Sequence, residues 1–595
     1  MSHVAGVVVR PPHQGKDHPL CREILRRLVR RPDHTLQIFD HGVAWAAKLD
    51  VGAFSSPGEH HGDDGSFTLV CGDPILEPGD AGSPRTRYED TRRIHAAMQE
   101  ADLRGWLRAT RGVFSLVHVA PGGSTVTLAT DHLGIRPLYL WSSPEVVVFS
   151  SRVLLLQEML ALGLCPRGAV EFAGLGFALG RRTAVRDVVR LAPAEILEIG
   201  PDLEPRSRRY WDWPSAGSDG DTDADIFREF QRGVDLRLGS DRSTLAYLSG
   251  GLDSRAVVSL LRGRDAHVRT FNFSIPGQKD HLFGARMAEA LGTDHTFIPR
   301  TMPVELWQGD WSFLLQGAWD PSHQGSGLEV EHPRLVWSGD GGSVAVGGAL
   351  APRDEIAALV KSGDLDAAVR SFPTGVPSGI LQPSRVAELA GVIPAGVREE
   401  VEALPHPDPL RRFHLFLLVN DQRRHLDGHF ETLDLHGLEF HLPFFDFAFM
   451  KKLAAVPMER LRKHRFYHEW LHHFPEVVRT VPWQTYPTHL PCPLPQEGTS
   501  PDQWSGDQRS VVRTLKRRHG QRRRSRIAAM AVSRHFPADI VNRPRFLAAG
   551  MLDQLGIRSY DYAVDFVYRL FVVNRAGGYG TVAHSSPGIE ARGTL

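Results

Sequence analysis

An α/β protein of two unlike domains is what the sequence predicts, on three observations. Residues 1–210 consist of short alternating or apolar runs closed by Gly, Pro or Asp, among them AGVVVR, FTLVCGDP, GVFSLVHVAPGGSTVTLATD, PLYLWSSPEVVVFSS and AEILEIGPD. Such runs between turn formers build a sheet-rich domain. The stretch DWPSAGSDGDTD, Asp212 to Asp223, gathers Pro, Gly, Ser and Asp with too little apolar surface for a core, so residues 211–223 are expected to form a linker. In residues 224–595 strand and helix signals then alternate, the pattern of a parallel sheet with crossover helices.

In chain order, CREILRRLVR is an amphipathic helix of the first domain. After the linker, DADIFREFQRGVDLRL reads as a helix, STLAYLSGG as a strand ending in glycines, SRAVVSLLRG as a helix, HVRTFNFSI as a strand and DHLFGARMAEALG as a helix. From about Glu355 to Val456 helical periodicity dominates, as in PLRRFHLFLLVNDQRRHLDGHF, and the carboxyl-terminal part is helical with a polar Ser/Pro/Gly-rich end. No internal repeat is visible.

The chain has 595 residues, 42% of them hydrophobic, with 69 Lys+Arg balanced by 69 Asp+Glu, which excludes a disordered or fibrous protein. That neutrality removes the overall attraction nucleic-acid binders use, so no nucleic-acid partner is expected. Cys21, Cys71, Cys165 and Cys492 form no C-x-x-C pair, which argues against a disulfide framework or a zinc ribbon and fits a reducing cytoplasm. No run approaches the roughly 18 apolar residues of a membrane helix, and MSHVAGVVVRPP lacks the layout of an export signal, so a cytoplasmic protein with no membrane partner is expected.

The sharpest motif is Leu248-Ser249-Gly250-Gly251-Leu252-Asp253-Ser254, between the strand STLAYL and a helix beginning at Arg255. Adjacent glycines admit a polyanion close to the backbone, and successive N–H groups at a helix start carry partial positive charge. Ser249 and Ser254 add hydroxyl donors, and Asp253 is a hard oxygen ligand suited to Mg2+ on phosphates. The loop lacks the lysine and spacing of GxxxxGK[ST], which disfavours γ-phosphoryl transfer. It resembles the SGGxDS loop of the ATP-pyrophosphatase family, whose members cleave between the α- and β-phosphates. A second cluster, Leu335-Val336-Trp337-Ser338-Gly339-Asp340-Gly341-Gly342-Ser343, again follows an apolar stretch and puts a carboxylate at the end of another parallel strand, where sites of open α/β sheets gather.

Over nearly its whole length the chain resembles the asparagine synthetase superfamily. DHLGIRPLYL (Asp131 to Leu140) is similar to that family's D-x-x-G-x-K/R-P-L-Y-Y segment, FSSRVLLL to F-A-S-E-x-K-A-L-L, and LAPAEILEIG with RYWDW to its stretch before the synthetase domain. SGGLDS, SGDGGS and LEFHLPFFD (Leu438 to Asp446) follow in the family's order. The resemblance implies an N-terminal-nucleophile-hydrolase-like αββα sandwich followed by an ATP-pyrophosphatase (adenine nucleotide α-hydrolase-like) parallel-sheet domain with a large helical portion.

Glutamine-hydrolysing members carry Cys directly after the initiator Met, whereas residue 2 here is Ser, a hydroxyl that needs activation by a base. Their N-G-E-I segment reads Cys71-Gly72-Asp73-Pro74 here. An inactive glutaminase domain is therefore expected, with an amine other than glutamine-derived ammonia. Among the remaining subgroups the chain most resembles lasso peptide cyclases, through NDQRRHLDGHFE (Asn420 to Glu431) and VPWQTYPTHLPCPLP (Val481 to Pro495). That resemblance implies ATP and Mg2+ as cofactors, a linear core peptide as substrate, and a leader-peptide-binding protein and a leader peptidase as partners. A small-molecule β-lactam or amide synthetase, an ammonia-dependent asparagine synthetase and a non-catalytic peptide-binding relative remain alternatives.

The resemblance also distributes roles. Lys463, in ERLRKHRFYHEWL, matches the lysine that stabilises charge at the adenylate and the tetrahedral intermediate, and Asp340 stands where relatives carry a Glu or Tyr near the reacting centre, which implies a catalytic role as base or in orienting the amine. Leu248 and Phe273 are expected beside the adenine, with Ser249, Gly250, Gly251, Leu252, Asp253, Ser254, Ser338 and Gly339 around the phosphates. Asp253 and Asp280 are the expected metal ligands, since the family's second acidic ligand is Ser343 here. LKRRHGQRRRSR (Leu515 to Arg526) reads as a solvated basic face or a contact for an acidic leader peptide or partner.

Overall fold

A computed structural model of the chain describes residues 2–31, 34–79, 85–99, 102–213, 221–274, 276–299, 334–348, 354–371, 376–432, 434, 437–486, 488–496, 527–555 and 557–577. The first part carries twelve strands: β1 (His3–Val9), β2 (Leu36–His41), β3 (Ala44–Leu49), β4 (Glu59–His61), β5 (Phe67–Gly72), β6 (Phe114–Val119), β7 (Val126–Thr130), β8 (Tyr139–Ser142), β9 (Val146–Ser150), β10 (Val188–Arg190), β11 (Glu195–Ile199) and β12 (Pro205–Arg209). They form two antiparallel sheets in the orders β10-β8-β9-β1-β3-β2 and β12-β11-β7-β6-β5-β4. In the first, His3 pairs with Leu49 and Ala5 with Ser150, which fixes the amino end in mid-sheet.

Period-two alternation explains how these strands are covered on both faces. Val4 and Val8 of β1 meet Phe67, Leu69, Val117 and Leu128 of the other sheet, while Ala5, Val7 and Val9 face outward to helices. Five helices, α1 (Leu20–Leu28), α2 (Arg87–Gln99), α3 (Leu103–Ala109), α4 (Val153–Leu160) and α5 (Pro166–Leu175), coat the outer faces. Ile24, Leu155 and Val170 lie over the first sheet, and Ile94, Leu103 and Leu107 over the second, giving four layers.

The second part is a five-stranded, wholly parallel sheet in the order β15-β14-β13-β16-β17, from β13 (Ser243–Tyr247), β14 (His267–Ser274), β15 (Asp294–Pro299), β16 (Arg334–Trp337) and β17 (Leu438–His441). Helices α6 (Asp223–Leu238), α7 (Leu252–Arg262) and α8 (Lys279–Leu291) pack beside it. Thr222 starts α6 with a capping box to Asp225. The winding runs outward from β13 to β15, then jumps back to β16, so β13 and β16 flank the point where strand order reverses, the crevice in which such sheets bind ligands. Both glycine clusters emerge there.

Two packing facts revise the expected boundaries. Trp211 and Trp213, inside the expected linker, pack on Phe447 with ring centroids 5.0 and 6.1 Å away. The helices Arg543–Gln554 and Asp561–Gly577 return to the first sheet: Phe546, Val564, Phe566 and Leu570 share one core with Ala5, Val7, Leu155 and Leu156. Residues 224–595 are therefore not one packing unit. Residues 214–220 of the linker and the basic run Leu515 to Arg526 lie outside the described residues. Among the described residues no helix is long and apolar enough to cross a membrane.

Candidate nucleotide-binding site

Leu248 continues β13 and donates its N–H to the Phe271 carbonyl at 2.9 Å. After it the chain leaves the sheet. Ser249 N–H donates to Ser254 Oγ at 2.9 Å, the two serine hydroxyls meet at 3.0 Å, and Gly251 N–H donates to Ser249 Oγ at 3.2 Å. The serines thus brace the turn internally, and no side chain caps the start of α7 at Gly251, which leaves that helix end open to an anion. Leu252 is buried beneath it.

The second loop lies directly on the first. A Cβ at Gly339 would stand 2.7 Å from Ser254 N, and one at Gly342 2.5 Å from the Asp253 carboxyl carbon, so side chains there would push the loops apart. Ser343 donates its N–H to Asp253 Oδ2 at 2.9 Å and its hydroxyl to Oδ1 at 3.0 Å. Ser338 Oγ donates to Asp340 Oδ2 at 2.9 Å and accepts the Asp340 N–H at 3.2 Å. Burial, with the neighbouring Asp340 charge adding to it, pushes the Asp253 carboxyl up to about 6 against the Ser343 bonds. Tyr467 aims its buried hydroxyl at the same carboxyl without reaching hydrogen-bond geometry, and its phenol is raised far above the usual range, first by burial and then by Asp253.

A strap of residues 478–486 closes over this pair of loops. Arg255, fully buried on α7, donates to the carbonyls of Gly251 (2.9 Å), Val478 (3.1 Å), Val481 (2.6 Å) and Pro482 (2.9 Å), and burial lowers its pKa to about 10. Gln484 donates its N–H to the Gly250 carbonyl at 3.0 Å and its side-chain amide to Asp280 Oδ1 at 2.7 Å. Asp280 also accepts the Gly250 N–H at 2.9 Å, so this carboxylate is engaged as a brace for the loop. The proline-rich segment that begins at Val481 is thus packed structure, with Trp483 buried and the Arg255 guanidinium 5.6 Å from its ring centre.

Lys463 and His464 both adopt left-handed backbone, φ +59° and +63°, a strained state for residues with side chains that recurs at functional sites. The His464 N–H donates to the Gly347 carbonyl at 3.0 Å, which ties this pair to the helix following the second loop, while Lys463 Nζ donates to Asp354 at 2.7 Å. The lysine ammonium is thereby paired with a largely exposed carboxylate. Phe273 is half-buried, edge-on to Tyr247 with centroids 5.5 Å apart, whereas Leu248 is fully buried core.

The donor set fits a magnesium nucleotide. Asp253 and Asp340 offer hard oxygens on facing loops, and Mg2+ is commonly held by one or two carboxylates together with substrate phosphates and water. Burial is the main reason the Asp253 carboxyl is raised, and the Asp340 charge is a lesser one. Among the described residues no group of three or more His, Cys, Asp or Glu has metal-holding geometry, so a site made by protein ligands alone is not what the loops provide.

At the other end of the sheet, Ser2 is fully buried. Its hydroxyl donates to Asp50 at 3.0 Å and accepts from Arg87 at 3.1 Å, and Arg87 also holds Asp50 at 3.0 Å and the Val70 carbonyl at 2.9 Å. Although burial pushes it up, Arg87 and Lys48 hold the Asp50 carboxyl far below the usual range, which makes it a poor base for activating Ser2. The Ser2 N–H donates to Glu439 of β17 at 2.7 Å, and Arg136 clamps the same carboxylate at 2.9 and 3.0 Å.

The motifs lead to the two loops and Asp253, but not to Arg255, Ser343 as a hydrogen-bond partner, Tyr467 or Gln484. Arg255 directly follows SGGLDS, and an arginine on the apolar face of a helix is the signal that marks it.

Residues 226–301 match the Asparagine synthase family, and residues 79–158 the Glutamine amidotransferase domain family. Asparagine synthetase [glutamine-hydrolyzing] 3 of Bacillus subtilis (strain 168) is 26% identical over 207 residues, 31% of this chain and 34% of that protein. Amidase chyE of Penicillium rubens is 26% identical over 201 residues, 32% and 29% of the two chains. Putative asparagine synthetase [glutamine-hydrolyzing] 2 of Methanocaldococcus jannaschii is 26% identical over 238 residues, 37% and 46%. The chain therefore spans less than half the length of each of these relatives. The two family matches, in this order along the chain, and the asparagine synthetases among the relatives support the asparagine synthetase superfamily.

Proposed function

We propose that the protein is an ATP-dependent amide-bond-forming ligase that adenylates a carboxylate, releases pyrophosphate and passes the acyl group to an amine, with AMP as the second product. The observation that carries this reading is the contact of SGGLDS with SGDGGS at the reversal point of the parallel sheet, with Asp253 between them. A carboxylate resists nucleophilic attack because charge and resonance protect it, and adenylation supplies the leaving group.

The open start of α7 and the Ser249–Ser254 turn receive the β- and γ-phosphates, and Arg255 fixes the strap over them. Asp253 and Asp340 would hold Mg2+, which supplies charge neutralisation on the departing pyrophosphate. Released from Asp354, Lys463 steadies the oxyanion of the adenylate and of the tetrahedral intermediate. The strap excludes water, which protects the acyl-adenylate from hydrolysis.

The finer reading is a lasso peptide cyclase working in the cytoplasm. An Asp or Glu side chain of a linear core peptide attacks the α-phosphorus of ATP, and the peptide's own N-terminal amine closes an isopeptide macrolactam. An α-amine titrates near about 7.7–8, so a neutral fraction is present without a strong base and positioning dominates. A leader-peptide-binding protein and a leader peptidase are the partners this reading requires. The sealed Ser2 pocket supports an amine other than glutamine-derived ammonia.

Incubation with linear core peptide, ATP and Mg2+ tests it: AMP together with a product lighter by one water is expected. AMP formed only with free aspartate and ammonia would make the protein an asparagine synthetase, AMP formed only with a small amino acid a β-lactam-type synthetase, and no AMP under any condition a binding protein.

A further inference from the structure

Exposed large apolar side chains are not spread evenly over the surface. Of the eleven among the described residues, Val532, Leu547, Met551, Leu555, Ile557 and Tyr562 fall within one stretch of 31 residues. Leu547, Met551 and Leu555 recur every fourth residue along the helix Arg543–Gln554 and its cap, which puts them on one face. Phe546, Ala549 and Gly550 occupy the opposite face and are buried against the first-domain core, so the exposed stripe is not a helix turned the wrong way. Met551, Leu555 and Ile557 are 62%, 70% and 67% exposed, and an exposed apolar stripe on one helix face marks an interaction surface.

The rim sets the partner's chemistry. Arg534, Arg543, Arg545 and Arg558 are exposed in this part of the chain, against two exposed carboxylates among its described residues, Asp539 and Asp565. Arg543 lies over the Phe536 ring at 4.9 Å and Arg558 over the Tyr560 ring at 5.3 Å, which fixes two of these cations in place. A second copy would bring four more arginines against these four, so self-association through this face is opposed by like charge.

We propose that this carboxyl-terminal face docks an acidic amphipathic helix of a partner protein, with its apolar side on Leu547, Met551 and Leu555 and its carboxylates on the arginine rim. Helix-on-helix recognition of this type uses side chains repeating every three or four residues, and the rim charge supplies orientation and encounter rate. The surface is separate from the nucleotide loops, and the proposal does not depend on the reaction they perform.

The test uses the full chain and a fluorescein-labelled synthetic helix with Leu at every third or fourth position and Glu elsewhere, read by fluorescence anisotropy. Saturable binding is expected, weakened at least tenfold in M551E/L555E, whose side chains point to solvent, and weakened by added salt and in R545E/R558E. Unchanged far-ultraviolet circular dichroism separates this loss from unfolding. The proposal falls if M551E/L555E binds the peptide as well as the parent, or if a Lys-for-Glu version of the peptide binds equally. It falls as well if anionic phosphatidylglycerol vesicles bind with the same residue dependence while the peptide does not, or if sedimentation shows a dimer that M551E/L555E abolishes.

Discussion

Ser343 grips Asp253 at both carboxylate oxygens, through its N–H at 2.9 Å and its hydroxyl at 3.0 Å. The serine that stands where relatives place a second acid therefore restrains the first one.

This bond makes acid sensitivity predictable. With the Asp253 carboxyl raised to about 6, adenylation that needs its anion declines as pH falls through 6. Ser343→Ala removes one donor, and the acid limb of ATP–pyrophosphate exchange is expected to move up by about one pH unit. For stability, a carboxyl raised above its unfolded value favours the fold below that value and loses the benefit as pH rises through 6. Asp253→Asn is thus expected to abolish exchange while raising Tm more at pH 8 than at pH 5.

Arg255 is the second test. Arg255→Met removes the guanidinium that donates to four carbonyls, three of them on the strap, a cost of about 3 kcal/mol or more. Chemical denaturation should register that loss. Arg255→Lys keeps the charge but not the fork, and a higher KM for ATP with a smaller change in kcat is expected.

Lys463 separates chemistry from stability. Its partner Asp354 is largely exposed, so the pair is worth little to the fold. Lys463→Gly also relieves the left-handed backbone and should keep or gain about 1 kcal/mol of stability. Amide formation is nevertheless expected to drop by roughly two to three orders of magnitude. Full activity in Lys463→Gly would remove the lysine from the mechanism.

Ser2→Cys is expected to release no glutamate from glutamine, because Arg87 and Asp50 fill the space around residue 2 and hold its side chain. A glutaminase assay on the purified variant decides this.

The contact between the two sheets has its own acid signature. Burial raises the Glu439 carboxyl, but Arg136 overrides it and brings the pKa down to about 2. A lowered carboxyl stabilises the fold above its unfolded value and loses that contribution as pH falls from about 4.3 toward 2. Arg136→Met strands the buried carboxylate and should cost about 3–5 kcal/mol at pH 7. Thermal unfolding of parent and variant across pH 2–7 measures both effects, and the two curves should converge at the acid end.

Strand–glycine–helix order made the two glycine loops and their flanking elements legible in the sequence, because that pattern is local. Apolar runs closed by turn formers did the same for the strands of the first part. The brace on the loops was not legible, since Gln484 meets Gly250 and Arg255 meets Val481 across more than two hundred positions. Val481 to Pro495 resembled a cyclase segment in sequence, and only tertiary packing reveals that Val481, Pro482 and Gln484 bond to the first loop, its helix and Asp280. Asp280, expected on a metal, accepts the Gly250 N–H and the Gln484 amide, a bracing contact that its place in the sequence does not announce. The left-handed backbone at Lys463 leaves no mark in residue type, since Lys is not among the residues that favour it.

The return of the last two helices to the opening sheet has a consequence for how the gene product can be divided. Cutting the polypeptide near residue 221 would strip Val564, Phe566 and Leu570 from their seats on Ala5 and Val7 and bare oily surface on both fragments. The first domain then serves as a foundation for the rest of the chain, and neither half is expected to remain monodisperse when expressed alone.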